Sequence, residues 1–139
     1  MARRGMVDAL REAHRVLAEG GILIDARPDS RVDARVQRAS GPRFVTVGAL
    51  GTRRDTALDD RLSDRAIGAV KRARLFRGRR ARRWWHRLPF AGFVDLRAYL
   101  SGHLRLQSRI RWTAAGRRAG REGAFAIERP LRFEVLDKI

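Results

Sequence analysis

Residues 9–25 read Ala9-Leu10-Arg11-Glu12-Ala13-His14-Arg15-Val16-Leu17-Ala18-Glu19-Gly20-Gly21-Ile22-Leu23-Ile24-Asp25, and the succession of residue types here decides the fold class. Val7, Leu10, His14 and Leu17 recur at helical spacing, with Ala13 and Val16 widening the stripe, so residues 6–18 are predicted as an amphipathic helix. Gly20-Gly21 stops it, because glycine accepts the left-handed conformation of a helix C-cap. Ile22-Leu23-Ile24 follows at once. A short apolar run after such a stop suits a strand buried on both faces, as in a parallel sheet. Asp25-Ala26-Arg27-Pro28-Asp29 is predicted to end it, since proline donates no ladder hydrogen bond.

Downstream, Val32, Ala34 and Val36 alternate with polar residues, Ser40-Gly41-Pro42 supplies a turn, and Phe44–Leu50 returns with Val45, Val47 and Ala49 on one face. This is a predicted hairpin. Leu58, Leu62, Ala66, Val70 and Ala73, widened by Ile67, predict a helix over 55–75, with acids in its first turns and bases in its last. Residues 77–90 are expected to begin as a loop and become a strand. Residues 92–105 return to helical spacing, with Phe93, Leu96, Leu100 and Leu104 on the buried side. A short helix is expected around 113–119. The stretch 124–137 reads as extended, with Phe125 and Ile127 alternating before Pro130, and Leu131, Phe133 and Val135 after it.

The 139 residues fit one domain with one core. No apolar run approaches the roughly 18–20 residues of a membrane-spanning helix, so no membrane association is expected. The opening Met1-Ala2-Arg3-Arg4-Gly5-Met6 is basic, but no apolar stretch follows it, so a secretory leader is not expected and the default location is the cytoplasm. The absence of cysteine excludes disulfides, thiol catalysis and thiolate zinc sites. Charge is the loudest feature: 32 basic residues face 15 acidic ones, a net +17, and only Lys71 and Lys138 are lysines. Such a field attracts polyanions, with nucleic acid and anionic membrane surfaces the obvious candidates.

The helix ending in Arg15-Val16-Leu17, the Gly20-Gly21 corner and the Ile22–Asp25 strand resemble a landmark of class I S-adenosylmethionine-dependent methyltransferases (type 11-like), as does Arg27-Pro28-Asp29. In that family the landmark leads into the fifth strand of the sheet. The resemblance is close over residues 9–29 and looser to residue 139. It implies a single half-domain over residues 1–139: α/β, a partial Rossmann-like methyltransferase sheet of helix, fifth strand, hairpin, helices and antiparallel terminal strands. It also implies that the cofactor-binding half would precede residue 1. Neither the family's glycine-rich loop nor its ribose-binding acid is found here, and Gly48-Ala49-Leu50-Gly51 and Gly116–Gly120 are too sparse to replace them. No catalytic or cofactor residue therefore transfers to this chain. Such a half would leave Ile22–Asp25 with an unpaired edge, so a homodimer or a hetero-partner pairing there is expected.

His14 and His103 lie on or beside apolar helix stripes and read as structural. His86 stands beside two tryptophans, but the sequence shows no partner carboxylate, and no histidine pair has metal-ligand spacing. Asp25 ends a strand, where α/β sheets place ligand-facing groups, whereas Asp29 and Asp33 suit turn and surface. The sharpest local signal is the set Arg77, Arg79, Arg80, Arg82, Arg83, Trp84, Trp85 and Arg87. Arginine forks onto phosphates while an indole stacks a base, the combination used on single strands; the alternative is that one tryptophan anchors the core and the arginines are simply solvated. Three functions remain open: a truncated methyltransferase-like protein without activity alone, a basic nucleic-acid-binding module, or a methyltransferase subunit completed by another chain or by dimerisation.

Overall fold

The first helix, α1 (Arg3–Val16), forms where the apolar stripe places it: Leu10 is buried, with Met6, Val7 and Leu17 packed around the same cluster. A computed structural model describes residues 3–139; Met1 and Ala2, the start of the basic N-terminal run, lie outside the described residues. Next along the chain are β1 (Ile22–Pro28), β2 (Ala34–Ser40), β3 (Arg43–Leu50), α2 (Arg54–Arg72), β4 (Phe76–Phe90), α3 (Phe93–Gly102), β5 (Arg111–Trp112), α4 (Ala114–Arg118) and β6 (Phe125–Lys138). Among the described residues the fold is therefore mixed α and β, with four helices and one six-stranded antiparallel sheet. Its strand order is β1-β6-β2-β3-β5, and β4 also pairs with β6.

The parallel sheet expected around Ile22–Ile24 is corrected. Lys138 N–H donates to Gly21 O and Asp29 N–H donates to Pro130 O, so the residue numbers of β1 and β6 run in opposite directions. Nor is β1 buried on both faces. Leu23 points into a core, whereas Ile22 and Ile24 are 43% and 58% exposed. The strand also continues through Asp25 and Arg27 to Pro28. The corner before it keeps its expected form, with Gly20 at φ 71° and Gly21 N–H donating to Ala18 O.

The described residues gather into two compact units. The first comprises residues 3–27, 57–83 and 132–139. Its core joins Leu10 of α1, Ala66, Ile67 and Val70 of α2, Phe76 of β4 and Leu136 of β6. Leu58, expected on the buried stripe, is largely exposed. In β6 the buried residue after Pro130 is Leu136, while Leu131, Phe133 and Val135 are only half-buried, so the expected alternation there is displaced by one. Residues 76–83 are strand from their start, not loop. Pairing along β6 satisfies their backbone, which outweighs the weak strand preference of an arginine run.

The second unit comprises residues 28–56 and 84–131. Its core joins Ala34, Val36, Val47, Leu50, Leu96, Leu100, Phe125 and Ile127 with Leu106 and Ile110. The hairpin of β2 and β3 turns at Gly41 (φ 59°) and pairs Ala34 with Leu50 through Ser40 with Arg43. A β-bulge interrupts it, because Val36 pairs with Gly48 and Gln37 with Thr46. Val47 is the extra residue. Beyond it the alternation inverts: Ala49 lies on the face of its partner Arg35, and Leu50 goes into the core. α3 stops at Gly102, so Leu104 falls outside the helix and is 78% exposed rather than buried. Thr113 caps α4, its Oγ1 accepting from Gly116 N–H at 2.9 Å.

Candidate functional site

All eight residues of the arginine–tryptophan signal lie on β4. Within the first unit, Arg77, Arg79, Arg80, Arg82 and Arg83 are exposed. Strand alternation sets Arg80 and Arg82 on one side and Arg77, Arg79 and Arg83 on the other. Asp137 on β6 forms a two-pronged ion pair with Arg79. Among the described residues no carboxylate pairs with Arg77, Arg80 or Arg82. These three guanidiniums are built to stay hydrated or to meet an anion from outside.

In the second unit, Trp84 and Trp85 point to opposite sides. Trp84 is 53% exposed. Trp85 is half-buried, with the Arg35 guanidinium carbon 3.7 Å from its ring centroid. Arg87 is anchored three ways: Nε donates to Gln37 Oε1 at 3.2 Å, Nη2 donates to Glu128 Oε1 at 3.0 Å, and its guanidinium lies 5.0 Å over Phe44. Glu128 also faces Arg35 at 3.7 Å. The structure therefore separates the signal. Arg77, Arg80 and Arg82 are exposed with no carboxylate partner among the described residues and Trp84 is half-exposed, whereas Arg79, Trp85 and Arg87 are tied into the sheet.

The histidines divide as expected. His14 Nε2 is 3.1 Å from the Ile139 main-chain oxygen, and its ring meets the edge of Phe76. His103 caps α3, and its Nδ1 accepts from the N–H groups of Arg105 and Leu106 at 3.1 Å each. Burial, followed by the charges of Arg129 and Arg105, holds its pKa below the ordinary imidazole value. His86 is exposed on β4, with no carboxylate partner among the described residues. No group of three His, Asp or Glu side chains among the described residues is placed to hold a metal ion.

The aspartates do not form a carboxylate cluster. Within the first unit, Asp25 lies in mid-strand and takes both prongs of Arg27 at 2.8 and 2.9 Å. The same Arg27 donates to Asp64, which also accepts from Arg132, each at 2.8 Å. Burial works to lower the Arg27 pKa, but the hydrogen bonds and charges of Asp25 and Asp64 outweigh it and the net shift is upward. In the second unit, Asp29 is buried and pairs with Arg31, while Asp33 pairs with Arg111.

One feature of the second unit escaped sequence reading. Arg97, Ser101, Ser108, Arg109, Ile110 and Trp112 line an open groove of about 650 Å³. Arg109 and Arg111 lead into Trp112 as the β4 arginines lead into Trp84, a miniature of the same pattern. No helix among the described residues is long and apolar enough to cross a membrane. No protein-family model, curated protein or solved structure matches the chain.

Proposed function

We propose that this chain is a basic nucleic-acid-binding module that takes single strands. The observation carrying the reading is the exposure of Arg77, Arg80 and Arg82 on β4 without carboxylate partners among the described residues. Unpaired guanidiniums on a strand offer phosphates repeated charge-assisted contacts at no cost of breaking an internal ion pair. Arginines also protect a sheet edge against wrong pairing, and among the described residues β4 pairs with β6 alone. Edge protection calls for charge alone, and Trp84, half-exposed beside these arginines, adds an aromatic surface of the kind that stacks bases.

The test is binding of a single-stranded oligonucleotide across a salt series for the native chain and for Arg77→Ser/Arg80→Ser/Arg82→Ser. A control of equal charge change is Arg43→Ser/Arg54→Ser/Arg65→Ser. The β4 variant is expected to lower the slope of log K against log salt by about 2, following roughly 0.7 per lost phosphate contact. Equal losses in both variants would reduce the interaction to the diffuse attraction of a +17 chain.

A second reading, a methyltransferase-like half without activity alone or completed by a partner, draws on α1, the Gly20-Gly21 corner and β1, which keep the order of the family landmark. The antiparallel pairing of β1 weighs against it, because that family's fifth strand lies in a parallel sheet. Calorimetric titration with S-adenosylmethionine and its demethylated product separates these readings. Saturable binding at one site per chain would favour a donor pocket over a nucleic-acid module.

A further inference from the structure

We infer that the groove beside α3 in the second unit is a binding site for a phosphorylated nucleotide. It is lined by Arg97 and Ser101 of α3 and by Ser108, Arg109, Ile110 and Trp112. Its volume of about 650 Å³ falls inside the roughly 300–1,000 Å³ typical of small-ligand sites. Two adjoining depressions share Arg109 and add Arg53, Gln107, Arg111 and Arg117 to the neighbourhood. No carboxylate lines any of the three.

This lining selects for one chemistry. Neither Arg97 nor Arg109 has a carboxylate partner among the described residues, so both guanidiniums keep their forked donors for an incoming oxyanion. Ser108 adds a hydroxyl donor of the kind that completes a phosphate shell, whereas the Ser101 hydroxyl already donates to Ala98 O at 2.8 Å. Ile110 and Trp112 form the apolar part of the wall. Arg121 lies 3.7 Å over the Trp112 ring and Phe93 sits 5.8 Å from it, so the indole is braced in place. Arg121 takes one face of the indole, and the rest of that braced ring beside the Arg97 and Arg109 forks fits a base joined to a phosphate better than it fits a bare anion. The site is separate from β4 and does not depend on how β4 functions.

Calorimetric titration at 150 mM salt, with adenosine diphosphate, inorganic pyrophosphate and a short oligothymidylate as probes, tests the inference. The diphosphate is expected to saturate one site per chain and to bind at least tenfold more tightly than pyrophosphate. Arg97→Ser/Arg109→Ser should weaken it at least tenfold, and Ser108→Glu, which places a carboxylate in the groove, should abolish it. The Arg77→Ser/Arg80→Ser/Arg82→Ser variant should bind it like the native chain. Absence of saturable diphosphate binding at millimolar concentration, or equal affinity in native and Arg97→Ser/Arg109→Ser chains, would overturn the assignment. So would equal affinity for pyrophosphate and diphosphate, which would leave Trp112 without a role. Binding of the oligonucleotide alone, lost in Arg97→Ser/Arg109→Ser, would replace the free nucleotide with a strand phosphate and also overturn it.

Discussion

The Arg35 guanidinium carbon lies 3.7 Å from the ring centroid of Trp85, so the indole already carries a cation on one face. Trp84, the next residue, is 53% exposed and points to the other side of β4. Trp84 is the more exposed of the two indoles, so a single strand that stacks on this unit is expected to meet Trp84 first. Titrating an oligonucleotide into the native chain is expected to quench tryptophan emission. Trp84→Phe should lose most of that quenching, and Trp85→Phe should retain it. The reverse pattern would mean that the Arg35–Trp85 contact opens on binding.

Arg27, Asp25 and Asp64 form an enclosed ion network in the first unit, with the Arg27 and Asp25 side chains only 16% and 10% exposed. Removing one member of such a network leaves a desolvated charge, at a cost of about 3–5 kcal/mol. Arg27→Met should therefore destabilise the chain by about 3 kcal/mol in urea unfolding. Asp64 retains Arg132, so the damage should fall on Asp25. Arg27→Met/Asp25→Asn is expected to recover a large part of the loss. If the double variant is no more stable than the single one, the uncompensated Asp25 charge is not the cause.

The C-terminus of α2 closes with Arg74 N–H donating to Lys71 O and Leu75 N–H donating to Val70 O, the hydrogen-bond pair of a Schellman motif. The residue in its left-handed position is Arg74, at φ 57°. A side chain there costs about 1 kcal/mol relative to glycine, because its Cβ crowds the carbonyl oxygen. Arg74→Gly is expected to raise stability by about that amount, whereas Arg74→Ala should bring no gain. Thermal midpoints of the two variants decide it.

His103 supplies a pH dependence whose sign follows from its environment. Burial, then Arg129 and Arg105, lower its folded pKa, and both backbone bonds to Nδ1 require an unprotonated nitrogen. Tyr99 is its aromatic neighbour, with ring centroids 4.9 Å apart. An unfolded imidazole titrates near about 6.5, so below that pH the unfolded chain binds a proton that the folded chain refuses. This contribution is complete above about pH 7 and is lost as pH falls toward the lower folded pKa. His103→Asn keeps an acceptor oxygen but cannot titrate. The stability difference between native and His103→Asn chains should shift in favour of Asn between pH 8 and pH 5, and a constant difference would exclude His103 as the source.

Local periodicity made α1, α2, α3 and the β2–β3 hairpin legible, because each carries its own buried stripe within a few turns or residues. The direction of β1 was not legible. Three apolar residues after a glycine corner read alike in a parallel or an antiparallel sheet, and the partner strand begins a hundred residues later. The bulge at Val47 similarly defeated the reading of Ala49, since one extra residue exchanges every face beyond it. For the candidate site, the arginine run was visible but its division was not. Asp137 and Glu128, which take Arg79 and Arg87 into the sheet, lie 58 and 41 residues from their partners. Nothing local to β4 reports them.

Gly116 shows the same limit at a single residue, because in the sequence it belongs to a sparse glycine pair among arginines. In the structure it is buried in α4, and a Cβ there would collide with the Val47 carbonyl oxygen. That oxygen also accepts from Thr113 N–H at 2.9 Å and from Thr113 Oγ1 at 3.2 Å, so the cap of α4 and the bulge of β3 share one acceptor. Backbone cannot yield as a flexible side chain would. Gly116→Ala is therefore expected to cost more than about 2 kcal/mol, even though alanine is the better helix former by nearly 1 kcal/mol. The loss should appear first at Trp112, which pairs with Gly48 one residue past the bulge. Faster amide exchange at Trp112 and Thr113 in Gly116→Ala would register it. Unchanged exchange and stability would mean that α4 moves away from Val47 as a unit, and that the glycine is not required for the close approach.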